Sequence, residues 1–145
     1  MADLIASIIL QMGKPIFGRV TLPKASAAEE VLKGVFLKST AGVVAPVAGA
    51  TDDATFCGIA AMLSADAEGP LNVLVYTRCI VEVPMTAASY IFGQDLKYKT
   101  DGTLEDAGGA NTIAWAWETK TVGAGGTLKV LVDVVMLAKL FTIVA

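Results

Sequence analysis

Hydrophobic and polar positions alternate most regularly between Leu71 and Pro84. The odd positions Leu71, Val73, Val75, Thr77, Cys79, Val81 and Val83 form one nearly all-apolar face. The even positions Asn72, Leu74, Tyr76, Arg78, Ile80 and Glu82 mix polar with bulky apolar side chains. Strand side chains point to opposite faces with a period of two, so this pattern predicts a strand with one face in a core and the other half covered. At about 3.3 Å per residue the run would reach roughly 43 Å, well past the usual strand length, which predicts a bend near Thr77-Arg78.

Upstream the period changes. Leu4, Ile5, Ile8, Ile9 and Met12 fall on one stripe at helical spacing, with Asp3 placed to cap the start and Gly13 to end it. Residues 1–13 therefore predict a short amphipathic helix. Pro15 and Pro23 punctuate an extended segment over 14–24 that carries Ile16 and Phe17, and 25–32 reads as one or two helical turns or a linker. Residues 1–32 are thus an N-terminal arm, and the domain proper spans 33–145. A helix this short is marginal alone and needs a surface, either on its own domain or on a neighbouring subunit.

Within the domain, Gly34–Lys38 and Val43–Val47 read as strands around a turn at Thr40–Gly42, with Pro46 favouring an edge. Gly49–Asp53 is a loop. Thr55–Met62 is a strand in which Gly58 marks a bulge or a close backbone approach. Ser64–Pro70 is a second loop. Met85–Phe92 reads as a helical turn or an irregular segment, and Gly93–Asp95 as a turn. Leu96–Lys99 and Thr103–Glu105 flank Thr100-Asp101-Gly102, a strong hairpin signal. After a loop at 106–111, Thr112–Glu118 places Ile113, Trp115 and Trp117 on one face and Thr112, Ala114 and Ala116 on the other. Gly123–Gly126 is a loop, Leu128, Val130, Val132 and Val134 line one face of the last strand, and 137–145 is a mostly apolar tail. The total is about seven or eight short strands, a mainly β chain that predicts a small antiparallel barrel or sandwich.

Composition sharpens the picture. Over 145 residues the apolar share is 54% and the mean hydropathy +0.63, yet no run reaches the roughly 18 to 20 apolar residues of a membrane helix. The excess sits at the two termini, which favours apolar surface buried against other subunits over a merely Ala- and Val-rich core. The candidate interface residues are Leu4, Ile5, Ile8, Ile9, Met12, Ile16 and Phe17 of the arm, Trp115 and Trp117, and Leu140 and Phe141 of the tail. The tryptophans fit either a core or an interface. A net charge of −3 without a basic cluster argues against nucleic acid as a partner. The two cysteines, Cys57 and Cys79, read as buried reduced thiols, with a bridge between adjacent strands left open. The N-terminus lacks the positive region and cleavage pattern of a signal peptide, so synthesis in the cytoplasm is expected.

The chain offers little chemistry. It has no histidine, which removes His-based triads, shuttles and metal sites. Ser64 and Ser89 have no identifiable base, and Gly123–Gly126 lacks the Lys-Ser/Thr and helix of a phosphate loop. The adjacent pairs Asp52-Asp53 and Glu105-Asp106 read as solvated loop charges. The expectation is no enzyme activity, no cofactor and no metal.

From about Gly34 to Leu140 the order of local patterns resembles the capsid decoration, or cement, proteins of tailed bacteriophages. The patterns are Gly34–Leu37, Phe56–Ala60, Val73–Thr77 running on into Val81–Val83, Tyr90–Tyr98, Asp101–Leu104, Ile113–Glu118 and Leu128–Asp133. The element Gly93, Leu96, Asp101-Gly102 and Leu104 carries most of the likeness. Similar proteins often have a glycine in the middle of the long strand, where this chain has Arg78-Cys79. The resemblance implies a β-tulip-like fold and a structural virion protein on the outer surface of the expanded capsid. Its implied partners are the major capsid protein and further copies of itself, as a homotrimer, with no nucleic acid and no membrane. The arm would then order on the lattice, and many weak copies would add up. The other readings are a small-ligand-binding β-barrel, or another phage structural part such as a head-fibre base or minor capsid protein.

Overall fold

The computed structural model describes residues 7–11, 19–24, 31–61, 72–99 and 101–134. They form β1 (Ser7–Gln11), β2 (Arg19–Pro23), β3 (Phe36–Thr40), β4 (Val43–Pro46), β5 (Phe56–Ala60), β6 (Asn72–Tyr76), β7 (Arg78–Pro84), β8 (Ala88–Tyr90), β9 (Asp95–Lys99), β10 (Thr103–Asp106), β11 (Ala114–Ala116), β12 (Lys120–Val122) and β13 (Thr127–Asp133). One short 3-10 helix, Ala50–Thr55, interrupts them. The fold is mainly β, and every ladder between these strands is antiparallel.

The long alternating stretch is the spine of the molecule. It bends where its length predicted, at Thr77, and the bend moves the chain from one sheet to another. β6 lies in a five-stranded sheet of order β2-β6-β5-β3-β4, and β7 in a six-stranded sheet of order β1-β7-β13-β11-β9-β10. The alternation survives the crossing: Val73, Val75, Thr77, Cys79, Val81 and Val83 are all buried, whereas Leu74, Tyr76, Arg78 and Glu82 are only partly covered. The Thr77 carbonyl accepts a hydrogen bond from the Val134 N–H (2.9 Å), which ties the crossing to the end of β13.

Each sheet curls back towards itself. Lys24, just past β2, forms a bridge with Val44 on β4, and Met85, just past β7, forms one with Leu104 on β10. One bridge apiece does not close a barrel, and the two curled sheets pack in a sandwich-like way. Val31, Val35, Leu37, Val44, Cys57, Ala60, Val73 and Val75 form one core cluster. The larger cluster combines Cys79, Val81, Val83, Leu96, Tyr98, Leu104, Leu128, Val130 and Val132 of the six-stranded sheet with Phe36, Phe56 and Ile59 of the other. Phe36 and Phe56 stack there with ring centroids 5.6 Å apart. Cys57 and Cys79 sit in different clusters as free, buried thiols.

The expected helix over 1–13 does not form where the chain is described. Ser7–Gln11 is strand β1, with Ile8 opposite Val81 and Leu10 opposite Ile80, and a bulge between them. The β-branched pair Ile8-Ile9 suits a strand as well as a helical stripe, and the unpaired edge of β7 decides the outcome. β2 likewise covers β6, with Arg19 opposite Tyr76 and Pro23 opposite Asn72. Both described parts of the arm thus run along the spine, and Val31 is buried in the core. Met85–Phe92 is neither helical nor irregular throughout: Ala88–Tyr90 pairs with Lys120–Val122 in a separate two-stranded sheet.

The finer predictions of turn chemistry hold. β4, with Pro46, is an edge strand. β9 and β10 form the hairpin around Asp101-Gly102, with Thr103 opposite Lys99 and Gly102 at φ 84°. Gly58 has φ 130°, and a Cβ there would collide with the Tyr76 carbonyl. The expected loop at Gly49–Asp53 instead enters the 3-10 helix, and Asp52 is not a solvated loop charge but its partly buried anchor, because its Oδ2 accepts from the N–H groups of Ala48 (2.8 Å) and Gly49 (3.0 Å) and from Lys38 Nζ (3.2 Å).

Candidate interaction surface

Large apolar side chains are exposed at one place in particular. Ile91 is 66% exposed, Phe92 58% and Trp117 37%. The Phe92 and Trp117 rings meet with centroids 5.2 Å apart and planes tilted by 47°. The frame that presents them is the small β8–β12 sheet: Ile91-Phe92 follows β8 directly, and Trp117 lies on the path from β11 into β12.

Local sequence explains the geometry. Ile91-Phe92-Gly93-Gln94 is a β-turn closed by the Gln94 N–H donating to the Ile91 carbonyl (2.9 Å). Gly93 sits at φ 87°, the left-handed position that a type II turn reserves for glycine. The remaining donors of the turn are also engaged. The Ile91 N–H donates to Gln94 Oε1 (3.0 Å), the Phe92 N–H to Thr119 Oγ1 (3.0 Å), and the Gly93 N–H to the Ala116 carbonyl (2.8 Å). Ser89 and Thr121 hydroxyls join across β8 and β12 at 2.9 Å. Trp117 is fixed by its own N–H donating to the Lys129 carbonyl (2.8 Å), while Glu118 Oε1 accepts from the Lys129 N–H (3.2 Å).

Of the residues marked out by sequence, Trp117 alone is brought into this cluster. Ile113, Trp115 and Trp117 do not share one environment: Ile113 is buried, Trp115 half-buried and Trp117 exposed. The strand ends at Ala116, so the alternation that linked the three stops before Trp117. The small residues Ala114 and Ala116 face the core instead. Ile8 and Ile9 lie on β1. Leu4, Ile5, Met12, Ile16, Phe17, Leu140 and Phe141 lie outside the described residues. Ile91 and Phe92 were missed, although two consecutive large apolar residues abutting a turn glycine are a readable signal of a turn that displays its side chains.

Other chemistry is sparse. Among the described residues there is no enclosed pocket, no group of His, Cys, Asp or Glu arranged to hold a metal ion, and no helix long and apolar enough to cross a membrane. Burial pushes the Cys57 and Cys79 thiols up to about 12, away from nucleophilic use. Tyr90 is also raised, first by burial and then by the charges of Glu105 and Asp106, while its hydroxyl donates to the Thr86 carbonyl (2.6 Å). No protein-family model matches the chain, and no curated protein matches it.

Proposed function

We propose that this chain is a structural virion protein of a tailed bacteriophage. It binds the outer capsid surface, bridges neighbouring major capsid protein subunits and stabilises the expanded head. The observation that carries the reading is the exposed Ile91–Phe92–Trp117 cluster, held rigidly on a mainly β frame. Exposed apolar groups of this size, presented by a turn with no slack, suit permanent contact with another protein surface. The local sequence patterns of decoration proteins, from Gly34 onward, supply the kind of surface.

In this role each copy makes a modest contact, and the lattice multiplies it. Copies associate as homotrimers, which light scattering across a dilution series would read as three times the chain mass. The deciding experiment is the protein composition of purified virions, with antibody labelling of intact particles. The expected result is many copies per particle, accessible from outside. Absence from the particles, or presence only after they are opened, would sink the reading.

A further inference from the structure

We infer that the Ile91-Phe92 turn is a tooth that inserts into a concave apolar pocket on a different protein, which under the reading above is the capsid subunit. The partner's identity rests on that reading; the chemistry of the contact rests on the turn itself.

The first argument is desolvation. A turn normally carries free backbone donors, and burying one without a partner is costly. Here the N–H groups of Ile91, Phe92, Gly93 and Gln94 are all satisfied from within the chain. The side chains of Gln94 and Thr119 supply two of the acceptors. The backbone donors of the tip can therefore leave water without losing a hydrogen bond, which is what a dry apolar socket requires of them.

The second argument is shape and size. Ile91 and Phe92 project from a turn, so the surface is convex. Even fully covered, three side chains exposed to this degree give roughly 250–400 Å². A stable interface needs about 800 Å² from each partner. The cluster is too small to hold a dimer by itself and fits an anchor within a larger contact. Among the described residues there is no pocket to receive it, and the dimer arm of the test below reads a second copy directly.

The third argument is charge. An apolar tip also suits a lipid surface if it is ringed by free cations. Here Lys120 is drawn onto the Thr127 carbonyl (2.9 Å) and Glu118 stands beside Lys129. The chain that leaves Trp117 thus carries both signs, Glu118 and Lys120, and not a run of cations, which favours protein over anionic lipid.

The test uses the full chain and expanded capsids of its phage freed of this protein. Co-sedimentation compares wild type with the double variant Ile91→Ser/Phe92→Ser and with Phe92→Leu. Trp115→Phe serves as a background that leaves Trp117 as the single fluorescent reporter. The expected result is binding weakened about thirty-fold or more in the double variant, as for a buried anchor, and retained in Phe92→Leu. Trp117 emission should shift to the blue on binding. The double variant should melt as wild type does, because both residues are exposed; if it does not, Phe92→Ser alone replaces it. Equal binding by wild type and the double variant overturns the tooth and leaves the virion reading standing. Wild type that does not bind capsids overturns the reading, and the named partner with it. Two control arms also overturn the proposal: flotation with phosphatidylglycerol/phosphatidylethanolamine vesicles that the double variant abolishes, or a concentration-dependent dimer that it abolishes.

Discussion

Arg78 donates from Nε to Oδ2 of Asp133 at 3.2 Å, directly across the β7–β13 ladder and one residue past the crossing at Thr77. The Asp133 side chain is 9% exposed and that of Arg78 33%. Removing the cation leaves a largely buried carboxylate with less compensation than it had. Arg78→Met is expected to cost about 1–3 kcal/mol, less than a fully buried pair because the guanidinium reaches solvent. Arg78→Met with Asp133→Asn should cost less than the two single changes added together. Urea unfolding of the four proteins checks this, and strict additivity would show that the pair contributes nothing jointly.

Gly58 and Gly49 should respond in opposite ways to alanine. At Gly58 the backbone is left-handed and the new Cβ runs into the Tyr76 carbonyl of the neighbouring strand. Gly58→Ala is expected to cost about 3 kcal/mol or more. Gly49 has extended backbone, φ −157°, and open space around it, so Gly49→Ala should stay within about 0.5 kcal/mol of wild type. Thermal melts of the two variants would separate them.

These two glycines also show how legibility divided along the chain. Gly58, the Asp101-Gly102 hairpin and the edge position of Pro46 were readable because each depends on backbone chemistry local to the residue, and the bend at Thr77 because the alternating run is too long for one straight strand. β1 was not readable, because Ile8 and Ile9 satisfy a helical stripe and a strand equally and only the free edge of β7 chooses. β8 was hidden for the same reason: Ala88–Tyr90 is a strand through its pairing with Lys120–Val122, far away in sequence. At the candidate surface, Trp117 was singled out by type, but its exposure depends on where β11 stops. Ile91 and Phe92 needed the turn to be seen as one that faces water.

The two thiols make the fold sensitive to alkali. Both are raised from an ordinary value of 9.0 to about 12 by burial, so the folded chain holds these protons more tightly than the unfolded chain. Stability from this source is complete below pH 9 and falls as pH rises from there towards 12. The raised Tyr90 acts in the same direction. The urea midpoint is expected to drop between pH 8.5 and pH 11, and less so in Cys57→Ala/Cys79→Ala. A thiol reagent such as Ellman's should label neither cysteine until denaturant unfolds the protein.

Asp52 sets a limit on the acid side. Burial raises its carboxyl, but hydrogen bonds from Ala48, Lys38 and Gly49 outweigh that and hold it below the ordinary 3.8. A carboxylate depressed in the folded state stabilises fully above its ordinary value and loses that contribution as pH falls through the folded one. Asp52→Asn should therefore cost about 1–2 kcal/mol near neutrality and progressively less below pH 4. Unfolding midpoints of wild type and variant at pH 7 and pH 3 give the comparison. A gap that stays constant across that range would show that charge at Asp52 plays no part.

The spine has a mechanical consequence. β6 and β7 are one chain with a single residue, Thr77, between their ladders, so a load that tends to part the two sheets is carried along the strand axis with almost no slack. On the β7 side it meets the ladder to β13, which runs from Arg78–Asp133 to Pro84–Thr127. Pulled lengthwise, such a ladder is loaded in shear, and its hydrogen bonds resist together instead of peeling one after another. Stretching the molecule across its two sheets thus meets stiffness first, and the sheets separate only once the whole ladder gives way.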